Sequence, residues 1–386
     1  MIAYNNLWLN NNLAVSELEA ALAANLITKN EFEASVPLYS VKFYSPHLFV
    51  RMGLFMLTTV VVIFSLGLFS LLFLSALNQD GAGTLFIFFG LICYALLEWL
   101  VASRHHYQSG VDDALLWLCA TFIVTGVNVN GDIIAIKNVV LIFSLSAWFT
   151  VRFTDRLMLI VASIAMFSFV FFLQNKMGTY TRAFIPFSLM LTAVLLYFIF
   201  RALGSFQKLY LYRKCCTVGI ITCLLCFYIA GNYFVVREVS NSLYNVQLKA
   251  EESIPFAWFI WMVTVITPLL YIMWGILKKD IIFIRTGLIL VAATVFTIRY
   301  YYQNSPIEMI MIIGGVLLIA VAYLITLLLK FNRAGFTAQP LISRYNDGKE
   351  NIESIIIAET MSSTAGEDSG SFEGGDFGGG GASGDY

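Results

Sequence analysis

The ionisable chemistry of this chain gathers in one stretch, Tyr94 to Trp117, where an otherwise apolar sequence reads YALLEWLVASRHHYQSGVDDALLW. It holds a carboxylate inside a hydrophobic run (Glu98), a cationic and imidazole group (Arg104, His105, His106) and two acids opening the next run (Asp112, Asp113). A charged side chain at bilayer depth costs about 2.5 to 3.5 kcal/mol on insertion scales, so it faces the bundle interior or a wet cavity. Glu98 lies about five residues, ~7 Å of helix rise, from the end of its run. Desolvation there favours the protonated acid, as a proton carrier requires. A carboxylate hydrogen-bonded across a helix interface, or reaching the headgroups, is the structural alternative. Histidine titrates near neutrality and binds metals, but His105 and His106 are adjacent, project in different directions and have no Cys or third His beside them. No metal site is expected. An Asp at a helix start caps free N–H groups and complements the helix dipole, which accounts for one of Asp112 and Asp113. The turn from His105 to Asp112 is short, so the groups on its two sides form one polar cluster.

A second polar set ends one run with Arg299 and the tyrosines 300 to 302, and opens the next with Ser305, Pro306 and Glu308. Arg299 and Glu308 could gate a vestibule, although S-P-x-E is also a capping box with Pro at the first helical position. Arg285, near Lys278 and Lys279, reads as a snorkelling cation. Pro186 and Pro268 fall inside apolar runs, where proline frees carbonyls and bends helices. The six cysteines lie in or beside apolar runs. Cys223 and Cys226 form a C-x-x-C without a second pair, which reads as packing, and Cys215 and Cys216 stand at a membrane edge where lipidation is a weak alternative. There is no G-x-S-x-G, H-E-x-x-H, G-x-x-x-x-G-K-[ST] or post-strand glycine fingerprint, so the reading is of a non-enzyme without a cofactor.

Composition says what must hold these groups. Of 386 residues, 59% are hydrophobic and only 12% charged, with a mean hydropathy of +0.80, whereas a soluble domain carries about 25% charged residues. Lipid must be the solvent for much of the chain. The net charge of -1 offers no basic excess for nucleic acid. A bilayer core of about 30 Å needs roughly 20 helical residues, and ten runs qualify: 53–76, 84–103, 113–128, 136–152, 157–174, 184–202, 215–236, 255–277, 281–299 and 307–330. The third and fourth are the least regular, because Asn128, Asn130, Asp132 and Lys137 leave short runs. Lys and Arg accumulate in cytoplasmic loops, and alternate sides of a ten-span path hold 17 and 6 of them. That places both termini in the cytoplasm. The opening residues lack the succession of a cleaved signal. A five-and-five arrangement permits an inverted repeat, but the halves show no matching Gly, Pro or charged positions.

Residues 1–50 read as a helical hairpin head, with S/T-x-x-E starts at Ser16 and Thr28. Residues 51–332 form the bundle, with REVSNSLYNVQLKAEESI (237–254) long enough for a short interfacial helix, and residues 333–386 form a cytoplasmic tail. From about residue 361 the tail is Gly, Ser and acid, a composition that cannot offset chain entropy and is expected to be disordered. The expected class is therefore all-α: a polytopic transmembrane bundle with a cytoplasmic head and a disordered tail.

The head sequence ANLITKNEFEA, the phrases YQSGVDDALLW, FTDRLMLIVAS and TIRYYYQNSPIEMIMIIGG, and the FGGGGASGDY end together resemble bacterial, Bacteroidetes-like polytopic membrane proteins grouped as domain-of-unknown-function families. The resemblance implies a multi-pass inner-membrane protein and carries no activity onto any residue. Two functions follow as expectations: a structural membrane component whose head or glycine-rich tail recruits a protein partner, or a proton-linked small-solute transporter using Glu98 with Arg299 and Glu308 at its outer mouth.

Overall fold

The computed structural model describes residues 2–24, 26–72, 79–129, 136–178, 184–244 and 256–301, with isolated positions 312, 315, 316, 319 and 323 beyond them. In order these form α1 (Asn6–Ala23), α2 (Lys29–Ser35), α3 (Leu48–Leu72), α4 (Gln79–Arg104), α5 (Val111–Asn128), α6 (Ile136–Phe153), α7 (Arg156–Lys176), α8 (Ile185–Ser205), a 3-10 segment (Gln207–Tyr212), α9 (Arg213–Gly231), α10 (Tyr233–Tyr244), α11 (Ala257–Lys278) and α12 (Ile281–Tyr301). Among the described residues nine helices are long and apolar enough to cross a membrane. The protein is an all-α polytopic helical bundle. Apart from those isolated positions, the tenth run lies outside the described residues, as do Glu308 and the tail.

The nine helices match the first nine apolar runs, including the two irregular ones, α5 and α6, at 18 residues each. Large apolar side chains face outward along them: Phe64, Leu71 and Trp258 are 74%, 69% and 71% exposed. Water would make such a surface aggregate, and lipid makes it the favoured solvent. α3 takes this furthest, with no buried residue in its length. Neighbours in sequence pack as antiparallel pairs: α4 with α5, α6 with α7, α8 with α9 and α11 with α12. Where α4 crosses α5, a Cβ on Gly83 would meet the Gly126 carbonyl at 2.8 Å, and one on Gly126 the Gly83 carbonyl at 2.7 Å. Small residues at such crossings let backbones approach, which is how helices associate in lipid.

Several boundaries differ from the sequence reading. Ser16 does not start a helix, because α1 already begins at Asn6 behind the Asn5 side chain, which accepts the Leu7 N–H at 2.9 Å. Thr28 does cap α2 in a complete capping box with Glu31. Pro186 stands in the first turn of α8 rather than inside it, where it breaks no hydrogen bond. The 215–236 run stops at Gly231, and after Asn232 a separate helix, α10, begins. The structure divides into two compact units: among the described residues, one holds residues 1–15 with the bundle, and the other holds Ser16–Val36. Within the second unit, α2 has no buried residue.

Candidate functional site

The bundle end that carries Arg104, the α6–α7 turn and the first fifteen residues gathers Glu98, Asp112, Asp113 and Asp155 with Arg51 and Arg152, and we call it the head-side face. Its centre is the 105–110 turn between α4 and α5. Three positive φ angles, at His105 (56°), Gln108 (50°) and Gly110 (91°), wind the chain tightly enough to reverse direction. A side chain at Gly110 would collide with the Arg51 carbonyl of α3, so glycine answers both a left-handed backbone and a close approach. The turn is clipped to the incoming N-terminal segment by two backbone hydrogen bonds: Tyr44 N–H donates to the His105 carbonyl at 3.1 Å, and Tyr107 N–H to the Tyr44 carbonyl at 3.2 Å.

Aromatic rings complete that clip. Tyr4 meets Tyr107 edge-on at 5.0 Å, Phe43 stacks on Tyr107 at 5.0 Å, and Trp8 contacts His105 at 4.7 Å. Such pairs contribute ~0.5 to 1.5 kcal/mol each beyond their buried area. Ala3 N–H donates to the Arg152 carbonyl at 2.9 Å, which fixes the chain start to the end of α6. Burial holds the Tyr4 and Tyr107 hydroxyls above the ordinary tyrosine range, so both act as neutral packing groups.

The acids of this face are each engaged. Arg152 grips Glu98 with two prongs, Nε to Oε1 and Nη2 to Oε2, both 2.8 Å, and the Tyr94 hydroxyl donates to Oε1 at 2.9 Å. Glu98 is thus hydrogen-bonded across a helix interface, the structural alternative weighed above: the long Arg152 side chain reaches from the end of α6 to α4, across 54 residues of sequence. Arg51 converges on Asp113 Oδ2 with Nε at 2.9 Å and Nη2 at 2.7 Å, joining α3 to α5. Asp112 turns back to accept the Ser109 N–H at 2.8 Å and hydroxyl at 3.0 Å, while the Ser109 oxygen lies 2.7 Å from His106 Nδ1. Asp112 thus closes the turn and does not cap α5, whose N-cap is Gly110 with no side-chain hydrogen bond, and Asp113 is an ion-pair partner. Asp155 caps α7 by accepting the Met158 N–H at 2.7 Å, and burial raises its carboxyl above the usual range.

The structure brings His105, His106, Asp112 and Asp113 into one neighbourhood, where His106 and Asp112 share Ser109 and Asp113 takes Arg51. The imidazoles turn to Trp8 and Ser109 and do not converge as ligands. Burial lowers the His106 pKa, Asp112 opposes that shift, and Arg104 adds to it. Arg104 itself stays exposed. Among the described residues no three His, Cys, Asp or Glu side chains gather in a way that could hold a metal. Cys215 and Cys216 are buried, Cys215 against the Thr154 carbonyl at 3.2 Å, which removes them from lipidation. Arg299 is exposed at the end of α12.

A second polar centre, absent from the sequence reading, lies deep in the other half. Asn232 breaks α9 from α10: its Oδ1 accepts the Phe234 and Val235 N–H groups at 2.9 and 3.3 Å. Its amide nitrogen donates to the Tyr228 hydroxyl at 3.0 Å and Thr297 Oγ1 at 3.1 Å. Pro268 has no N–H for the Thr264 carbonyl four residues earlier, and Thr294 of α12 donates its hydroxyl to that carbonyl at 3.1 Å. The donors and acceptors of this network satisfy one another, so its chemistry is that of a tie between helices. Neither a family model, a curated protein nor a solved structure matches the chain.

Proposed function

We propose that this integral membrane protein is a structural, partner-recruiting and non-enzymatic membrane component, with its head-side face toward the cytoplasm. The observation that carries the reading is the two-pronged Arg152 grip on Glu98. The one acid that a proton-carrier mechanism required is spent as a clamp between α4 and α6, just as Asp113 is spent on Arg51 between α3 and α5. Head-side exposed cations, Arg104, Arg201, Arg213 and Lys214 among them, support the cytoplasmic orientation by the positive-inside rule. α2, held by its own capping box with no buried residue, offers a helix surface to a partner. The resemblance to bacterial polytopic proteins makes the inner membrane the fitting location.

The test is Glu98→Gln in the full chain, reconstituted in vesicles, beside a deletion of residues 16–36. The structural reading expects proton flux unchanged by Glu98→Gln and loss of co-purifying partners on deletion. Abolition of a proton-dependent flux by Glu98→Gln, at unchanged abundance, refutes it.

A further inference from the structure

The acids Glu98, Asp112, Asp113 and Asp155 of the head-side face have partners within the bundle, and a basic surface lies at the same level. Residues 201–214, RALGSFQKLYLYRK, contain Arg201, Lys208, Arg213 and Lys214 and no acid. The turn between α11 and α12 adds Lys278 and Lys279 with a single acid, Asp280. Arg201 Nη1 lies 3.9 Å from Asp280 Oδ2, which brings the two segments into one patch. All six cations are exposed.

Their level in the bundle identifies what they meet. Arg201 is in the last turns of α8, Arg213 and Lys214 open α9, and Lys278 ends α11. These are the ends of membrane-crossing helices, the depth of lipid phosphates. Exposed aromatics stand among the cations: Phe206 (60% exposed), Tyr210 (39%) and Trp274 (51%), with the Lys278 ammonium 5.6 Å from the Trp274 ring centroid. Aromatic rings with adjoining Lys and Arg are the usual composition of a surface seated in the headgroup layer.

We infer that the patch formed by the end of α8, the 3-10 segment, the start of α9 and the α11–α12 turn is a binding surface for anionic phospholipid headgroups. The phosphodiester charge complements the cations, and acyl chains run down the exposed apolar faces of α8 and α11. This surface is independent of the Glu98 clamp and of any partner of α2.

The test uses the full chain in neutral detergent and native mass spectrometry of bound lipid, titrating phosphatidylglycerol, phosphatidylcholine of the same acyl chains, and inorganic phosphate as competitor. The wild-type chain is expected to retain phosphatidylglycerol over phosphatidylcholine, with a preference that shrinks as ionic strength rises. A basic residue at the surface changes affinity about fivefold, so Lys208→Gln/Arg213→Gln/Lys214→Gln should lower phosphatidylglycerol affinity on the order of 100-fold and leave phosphatidylcholine unmoved. A matched variant of exposed far-face cations, Lys137→Gln/Lys176→Gln/Arg299→Gln, should keep the preference. Equal retention of the two lipids, an equal loss in the far-face variant, or displacement by inorganic phosphate at the same concentration overturns the assignment. If the triple variant does not fold, Lys214→Gln alone decides: about a fivefold loss supports the assignment, and no loss overturns it.

Discussion

Cutting one prong-bearing partner out of the Glu98–Arg152 clamp should destabilise the bundle unequally, depending on which partner goes. An exposed ion pair contributes about 0 to 1 kcal/mol, and breaking a buried one costs about 3 to 5. Here the side chains are 27% and 29% exposed, between those limits. Arg152→Met leaves the carboxylate at depth with only the Tyr94 hydroxyl, a loss of about 2 to 3 kcal/mol. Glu98→Gln keeps an acceptor for the guanidinium and frees a cation that snorkels to water, so the loss is smaller, about 1 kcal/mol. The double variant Glu98→Met/Arg152→Met removes both charges, and its loss should fall short of the sum of Glu98→Met and Arg152→Met by about 2 kcal/mol. Reversible unfolding in bicelles, followed by circular dichroism against denaturing detergent, supplies all four corners of the cycle. Additive losses would mean that the two groups merely lie near each other, and the clamp argument would fall with them.

Three further outcomes are expected. Asn232→Ala removes the α10 cap, about 1 kcal/mol, and two amide hydrogen bonds worth about 0.6 kcal/mol each in a bilayer; the same unfolding assay should show a total near 2 kcal/mol, and Asn232→Asp, which keeps the capping oxygen, should retain α10 protection in hydrogen exchange. Gly110→Ala forces a side chain onto a left-handed residue against the Arg51 carbonyl, so it should cost at least about 2 kcal/mol and loosen the Arg51–Asp113 pair, read as faster exchange at the start of α5. For His106 the folded pKa lies below its ordinary 6.5, so the unfolded chain takes up its proton first as pH falls; stability should drop from about pH 6.5 downward and level off below the folded pKa, and His106→Asn should remove that slope from a stability titration.

The architecture was legible because its cause is one-dimensional. A run such as 184–202 or 281–299 announces a span by length and hydropathy alone, and the same spans emerge as α8 and α12. The α2 start was equally local, since Thr28 and Glu31 are within one turn. The polar site is different in kind. Its decisive contacts join Arg152 to Glu98 over 54 residues and Arg51 to Asp113 over 62, and no local pattern ranks those pairings above others. Arg152 ends the run 136–152, and its reach into the bundle depends on how α6 lies against its neighbours. Tyr94 and Glu98, by contrast, stand four residues apart on one helix face, a local spacing.

The N-terminal segment shows the same limit from the other side. A helical head too small to be stable alone packs on a partner or on its own bundle, or hangs as an appendage, and no local pattern chooses among these; Tyr4 and Leu9 are buried to 8% and 6% exposure in the cluster that also holds Leu97, Phe149 and Met158. Tyr4, Trp8, Phe43 and Tyr44 are scattered aromatics in sequence, with no helical or strand period to flag them. They become one surface only because the 105–110 turn presents His105, His106 and Tyr107 in succession to meet them. The histidines singled out for titration or metal binding thus take part in docking the chain start. It follows that Trp8→Ala should loosen residues 2–15 in hydrogen exchange while leaving α8 to α12 protected, because its ring contacts are with Phe43 and His105. Loosening spread evenly over both halves would show instead that the segment is a keystone of the whole bundle.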